Sequence, residues 1–372
     1  MTDNKTVDKR LLKHADILVD YCTEIQPGDR VVIESTIAAE PMLEALMERI
    51  LVRGGYPYLL TKLPQQEAIF YKYAQEAQLV TPPEFMKLAY DNFEARIRLH
   101  SVMDTSVLDD VDPEKQALHG KAIAPILEAQ FSRGPSRDFK WVTTLFPTEA
   151  YAKEAGMTLE EYTDFVYAAM HANTDDPVAF WQQVEKDQEH YVSLFKGKDK
   201  VVLRGPNVDL RLSVKGRSFI NANGKNNMPD GEIFTGPVEN SVNGWVRYTY
   251  PSIVSGQVVE DIELEFVEGQ VLHAKAKKNQ DFLMRMLDSD AGARYVGEFA
   301  VGLNYEIDKF TGNILFDEKI GGSFHMALGA GYPETGSKNK SQIHWDMICD
   351  MRTDSEIIAD GEVIYKNGNF VK

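Results

Sequence analysis

The feature that most limits how this chain can fold is a change of hydrophobic period near residue 200. Before it, short apolar runs alternate with stretches whose apolar residues recur at helical spacing. After it, period-two strands follow one another almost without interruption. The first part predicts helices over 7–25, 39–52, 66–78, 113–127, 148–154, 158–171 and 177–195, and strands over 30–34, 56–61, 95–103 and 140–145. Pro57 argues for an edge or a strand start, and Thr158 with Glu161 forms a capping box. The second part predicts strands over 201–204, 208–214, 244–250, 257–266 and 270–277, a closing hairpin of 362–365 with 369–371, and one helix, 280–287, behind Asn279 as N-cap. Strand–helix alternation builds an α/β layer with a largely parallel sheet, whereas consecutive strands build antiparallel ones. The expectation is an α/β N-terminal domain, residues 1–196, joined at Lys196-Gly197-Lys198-Asp199 to an α+β, β-rich C-terminal domain, residues 197–372.

Composition excludes several classes. A length of 372 residues exceeds one typical core, and 43% apolar with 26% charged residues is ordinary for folded protein. The formal net charge of −17 opposes nucleic acid or anionic membrane as a partner. Two cysteines, Cys22 and Cys349, give no disulfide framework and point to a reducing cytoplasm. The first residues lack the apolar core of a signal peptide, and no run reaches the roughly 18 apolar residues of a membrane span. Neither a GxGxxG nor a Walker A loop occurs, so no nucleotide is assigned.

The densest chemistry lies between Glu318 and Asp346. Segment 341–349 reads as a strand with Ile343, Trp345 and Met347 on one face and His344 with Asp346 on the other. An imidazole beside a carboxylate on a rigid strand is half of a divalent-metal site, or a simple hydrogen-bonded pair. His325 lies upstream, after Asp317-Glu318 and the Gly321-Gly322 bend, and Tyr332 follows it. Glu298 interrupts the apolar run Y-V-G-E-F-A-V-G, where an unpaired carboxylate is costly and calls for a cation. Glu232 follows the Asp230-Gly231 turn at a strand start. His14, His100, His119, His171 and His190 read as ordinary packing or surface residues.

The segments N-M-P-D-G-E-I-F-T-G-P (227–237), V-G-E-F-A-V-G (296–302), D-E-K-I-G-G-S-F-H-M-A-L-G-A-G-Y (317–332) and I-H-W-D (343–346) resemble the thermophilic-type metallo-aminopeptidases, the aminopeptidase S and T group. The likeness runs along most of the chain. It implies that the C-terminal domain is catalytic, with two divalent ions (Zn, Co or Mn) held by Glu232, Glu298, Glu318, His325, His344 and Asp346. The spacing from Glu318 to His325 is longer than the family pattern, and the segment from Tyr332 to His344 is shorter. Four carboxylates carry the charge that two such ions neutralise. The resemblance implies removal of the N-terminal residue from a peptide with a free amine, through a hydroxide bridging the ions. It gives Glu298 and Tyr332 direct catalytic roles, Tyr332 as donor to the oxyanion. It further implies a homodimer; the N-terminal domain, in which no chemistry is legible, is expected to cover the cleft. A dipeptidase, a deacylase or a protein that keeps its metals for structure would use the same donor set.

Overall fold

The structure, a computed structural model, describes residues 8–254 and 256–372. It resolves into two compact units: Met1–Gln182 with Gly224–Pro229, and Gln183–Asn223 with Asp230–Lys372.

The first unit is built on a five-stranded sheet in the order Tyr56–Lys62, Arg30–Thr36, Ala95–His100, Lys140–Leu145, Asn227–Met228, parallel throughout. Tyr56–Lys62 is an edge, where Pro57 deprives no neighbour of a ladder bond. Val31, Val32 and Ile33 in the next strand are buried, as expected where helices cover both faces of a parallel sheet. Charged groups buried in this unit find partners. Arg96 donates to Gln130 Oε1 and Thr143 Oγ1, each at 2.6 Å. Arg98 pairs with Glu34 at 2.6 Å. His14 Nε2 lies 3.0 Å from Thr144 Oγ1, and burial pushes its pKa down to about 3.

The second unit is antiparallel. Eight strands, from Gln270–Lys275 at one edge to Asn369–Phe370 at the other, form one sheet. Five strands form a second, in the order His344–Asp350, Ser323–Gly329, Val296–Gly302, Glu232–Thr235, Ile220–Ala222. Their apolar side chains share one core, with Leu203, Leu210, Val246 and Leu264 from the larger sheet and Phe299, Met326, Trp345 and Met347 from the smaller. A parallel α/β sheet beside antiparallel β-rich sheets is the architecture the period change predicts.

Local departures have physical reasons. The first helix is α-helical over Lys9–Asp16 and then widens to a π-helical turn, Ile17–Cys22, burying Ile17, Leu18, Val19, Tyr21 and Cys22. The helix expected over 66–78 breaks at Ala74, whose ψ of 136° is extended. A Gln75–Gln78 capping box then starts a separate turn. The strand expected over 257–266 breaks near Asp261, which has a φ of 54°. Asn279 precedes Gln280–Leu287 as expected, but its side chain makes no cap. Its Nδ2 donates to Val258 O instead. A helix at Glu84–Asn92 was not expected.

Candidate metal centre

The five-stranded sheet has two unlike faces, and its register shows how they arise. Alternation sends Ile233, Phe299, Val301, Phe324, Met326, Leu328, Trp345 and Met347 into the core. Glu232, Glu298, His325, His344 and Asp346 therefore belong to the other face. Most of the residues paired with them there are small, the exception being Ile348 beside His325. Ala327 stands opposite Glu298 on one side and Asp346 on the other. Ala300 stands opposite His325, Gly329 opposite His344, and Gly302 opposite Glu232. Long polar side chains thus alternate with gaps into which they can lean. The ladder shifts register between Val296 and Glu298. Gly297 occupies that bulge because a Cβ would lie 2.3 Å from Ala330 O.

The side chains converge. Glu298 Oε1 is 3.4 Å from His325 Nε2, and Glu298 Oε2 is 3.4 Å from His344 Nε2. Glu232 Oε2 is also 3.4 Å from His325 Nε2, and Asp346 Oδ1 is 3.6 Å from His344 Nε2. Backbone carbonyls orient both imidazoles: His325 Nδ1 is 2.8 Å from Glu318 O, and His344 Nδ1 is 2.8 Å from Ala330 O. A donated Nδ1–H leaves each Nε2 facing the carboxylates, as metal-ligating histidines are usually held. Glu318 lies in the turn after the short Ile314–Asp317 helix and groups with His325 and Asp346. All six ligands expected from sequence are thereby brought to one place. Tyr332 is beside them, its ring edge-on to His344 at 5.2 Å and near Phe234 at 5.4 Å.

Electrostatics are extreme for a protein interior. Burial raises Glu232, and it raises Asp346 to about 6. Burial also raises Glu298, but the His325 and His344 imidazoles outweigh it and bring that carboxyl down to about 2. For the imidazoles burial works downward, and the surrounding carboxylates overcome it, lifting both to about 10. The Tyr332 phenol is pushed up by burial and then by Glu298, so it stays a proton donor.

These residues fit a divalent ion. Glu232 Oε2 and Asp346 Oδ1 are buried with no hydrogen-bond partner, and two such oxygens beside the same imidazoles leave acceptor capacity that a cation would use. Distances of 3.4 Å between nitrogen and oxygen are long for charge-assisted hydrogen bonds. They match the edge, about 3.4 Å, of a tetrahedron whose metal–ligand distances are about 2.1 Å. Three ligand groups recur, each with donor atoms within 4.8 Å of one another: Glu232–Glu298–His325, Glu298–His344–Asp346 and Glu318–His325–Asp346.

Reading the sequence missed Lys319. It is wholly buried, in contact with Glu318 Oε1 and 3.7 Å from Glu232 Oε1. Burial works to lower its pKa, but Glu318 and Glu232 outweigh that and hold the ammonium charged. Its only signal was a lysine in an otherwise apolar bend, E-K-I-G-G-S-F.

A parallel α/β unit joined to an antiparallel unit, with carboxylates and imidazoles converging on one sheet face, defines a metal-dependent protein. The chain matches the thermophilic metalloprotease family, M29, over residues 7–370, and it belongs to that family. Aminopeptidase 2 of Geobacillus stearothermophilus is 26% identical over 98% of this chain and 98% of its own length. Aminopeptidase T of Thermus thermophilus is 27% identical over 88% of this chain and 86% of its own. The structure of wild-type AmpT from Thermus thermophilus superposes with a TM-score of 0.85 at 23% identity, covering 98% of this chain and 99% of that one, and shares its fold.

Proposed function

We propose that this chain is a metallo-aminopeptidase that removes the N-terminal residue from peptides with a free amine, using two divalent ions. The observation that carries the reading is the split of Glu298 between two imidazoles, one oxygen toward each. An imidazole nitrogen serves one ion, whereas a carboxylate can serve two. Glu298 therefore joins one set, Glu232 with His325, to another, His344 with Asp346. Ions held there, Zn, Co or Mn on this oxygen and nitrogen donor set, supply Lewis acidity that polarises a carbonyl and acidifies a water.

The chain's own residues do the rest. The carbonyls of Glu318 and Ala330 fix the two imidazoles. Tyr332, protonated at neutral pH, donates its hydroxyl hydrogen to the oxyanion of the tetrahedral intermediate. Glu318 has the most exposed side chain of the four carboxylates, at 17%. It is the sixth ligand and the one best placed to carry a proton during turnover. Membership of the M29 family and relatives named as aminopeptidases support this assignment.

Cys22 and Cys349 are both buried, and two cysteines make no disulfide framework, which supports a reducing, cytoplasmic setting. Among the described residues no helix is long and apolar enough to cross a membrane. A homodimer rests on the family resemblance, and light scattering on purified protein tests it.

The test of function is metal analysis with activity on aminoacyl-p-nitroanilides and their N-acylated counterparts, before and after chelation. The reading expects near-stoichiometric metal, cleavage of the free-amine substrates only, and loss on chelation. Equal cleavage of N-acylated substrates would instead indicate a deacylase.

A further inference from the structure

Resting on the two-ion reading above, we propose that Lys319 makes the two cation positions unequal. Its ammonium stands against the Glu232 side and loosens the ion there, leaving the His344–Asp346 side as the tight position.

The two oxygens of Glu232 face different ways. Oε1 is 3.7 Å from the Lys319 ammonium, while Oε2 lies 3.4 Å from His325 Nε2 and has no hydrogen bond. One carboxylate is therefore divided between a fixed positive charge and the position an ion would take. Lys319 also holds Glu318, whose carboxylate groups with His325 and Asp346. On the other side Glu298, His344 and Asp346 make no contact of their own with the ammonium. Among the described residues no ion pair from lysine or arginine reaches Glu298 or Asp346, whose charged neighbours are the imidazoles. Repulsion between like charges a few ångströms apart is poorly screened where water is excluded. The ammonium is an unavoidable part of this site, because its side chain has no exposed surface. Without ions it offsets part of the acidic cluster, and with ions it weakens the nearer one. Lys319 is a positioning residue in this sense, acting through Glu232 and Glu318.

The experiment is a Co²⁺ titration of chelator-stripped full-length protein, followed by calorimetry and by visible absorption. The wild type is expected to bind two ions in separable steps. Lys319→Met should tighten the weaker step by at least about tenfold, a modest figure for removing a unit charge so near a divalent ion, and leave the stronger step in place. Lys319→Arg, which keeps the charge, should preserve the wild-type separation. If Lys319→Met does not give folded protein, Lys319→Gln removes the same charge and carries the same expectation. Steps that move together, steps that do not move, or an arginine variant that behaves like methionine would each overturn the inference while sparing the aminopeptidase reading. A wild type that binds no Co²⁺ would overturn both.

Discussion

The two units bury charge in opposite ways. In the first, buried polar groups stand in separate small contacts, each with at least one partner, although His14 Nδ1, Glu34 Oε1 and Arg96 Nε make no hydrogen bond. Arg98 pairs with Glu34, and Arg96 spends its donors on Gln130 and Thr143. His14, which has no carboxylate beside it, is driven neutral by burial. In the second, buried carboxylates and imidazoles crowd together with oxygens left unpartnered. Buried charge alone therefore does not distinguish a site from a strut. What distinguishes them is whether several carboxylates and imidazoles bring their donor atoms to one place.

The largest effect that would test this contrast comes from Glu298. Glu298→Gln keeps the shape of the side chain and removes the charge shared by both imidazoles. Activity should fall by at least about 10³-fold, with metal content reduced and the circular dichroism spectrum unchanged. Full activity would return Glu298 to the class of struts. Next comes Tyr332→Phe, which should lower kcat by about 10²-fold with metal content intact. A wild-type kcat would leave the ring a packing role beside His344 and Phe234.

The first unit should answer in stability instead. Arg98→Met strands Glu34 and should cost about 2 kcal/mol, discounted for the partial exposure of Arg98, with bound metal unaltered. Denaturant melts and metal analysis on the same preparation check both halves. Comparable in size, but confined to acid, is the pH response of His14. Its folded pKa of about 3 lies below the unfolded value of 6.5. Its contribution to stability is therefore present above pH 6.5 and is lost as pH falls toward 3. At pH 5 the loss is about 2 kcal/mol, and His14→Gln should flatten that part of the profile. An unchanged slope would mean that His14 is protonated in the folded protein.

Much of this contrast was legible in the sequence. Glu298 stood out because a carboxylate amid Val, Gly, Phe and Ala needs a cation, and His344 with Asp346 because alternation puts them on one face. The passage from the Pro177–Phe195 helix to the strands that begin at Lys200–Gly205 was visible as a change of period, although the compact units divide earlier, after Gln182. Other parts left little trace. Ile220–Ala222 and Asn227–Met228 are too short to show a period, and the second pairs in register with Thr143 and Thr144, far back in the chain. Register between distant strands depends on side-chain fit that no local window contains. Lys319 was missed for a related reason. A lysine in a glycine-rich bend looks solvated until the fold closes over it.

Ala327 carries a lesson for anyone comparing related chains. Flanked across the ladder by Glu298 and Asp346, it works through what it lacks. A sequence that retained all six donor residues but placed leucine at this position would keep every ligand and crowd the space between two of them. Competence in such sheets is better judged by the vacancies between the acids than by the acids alone.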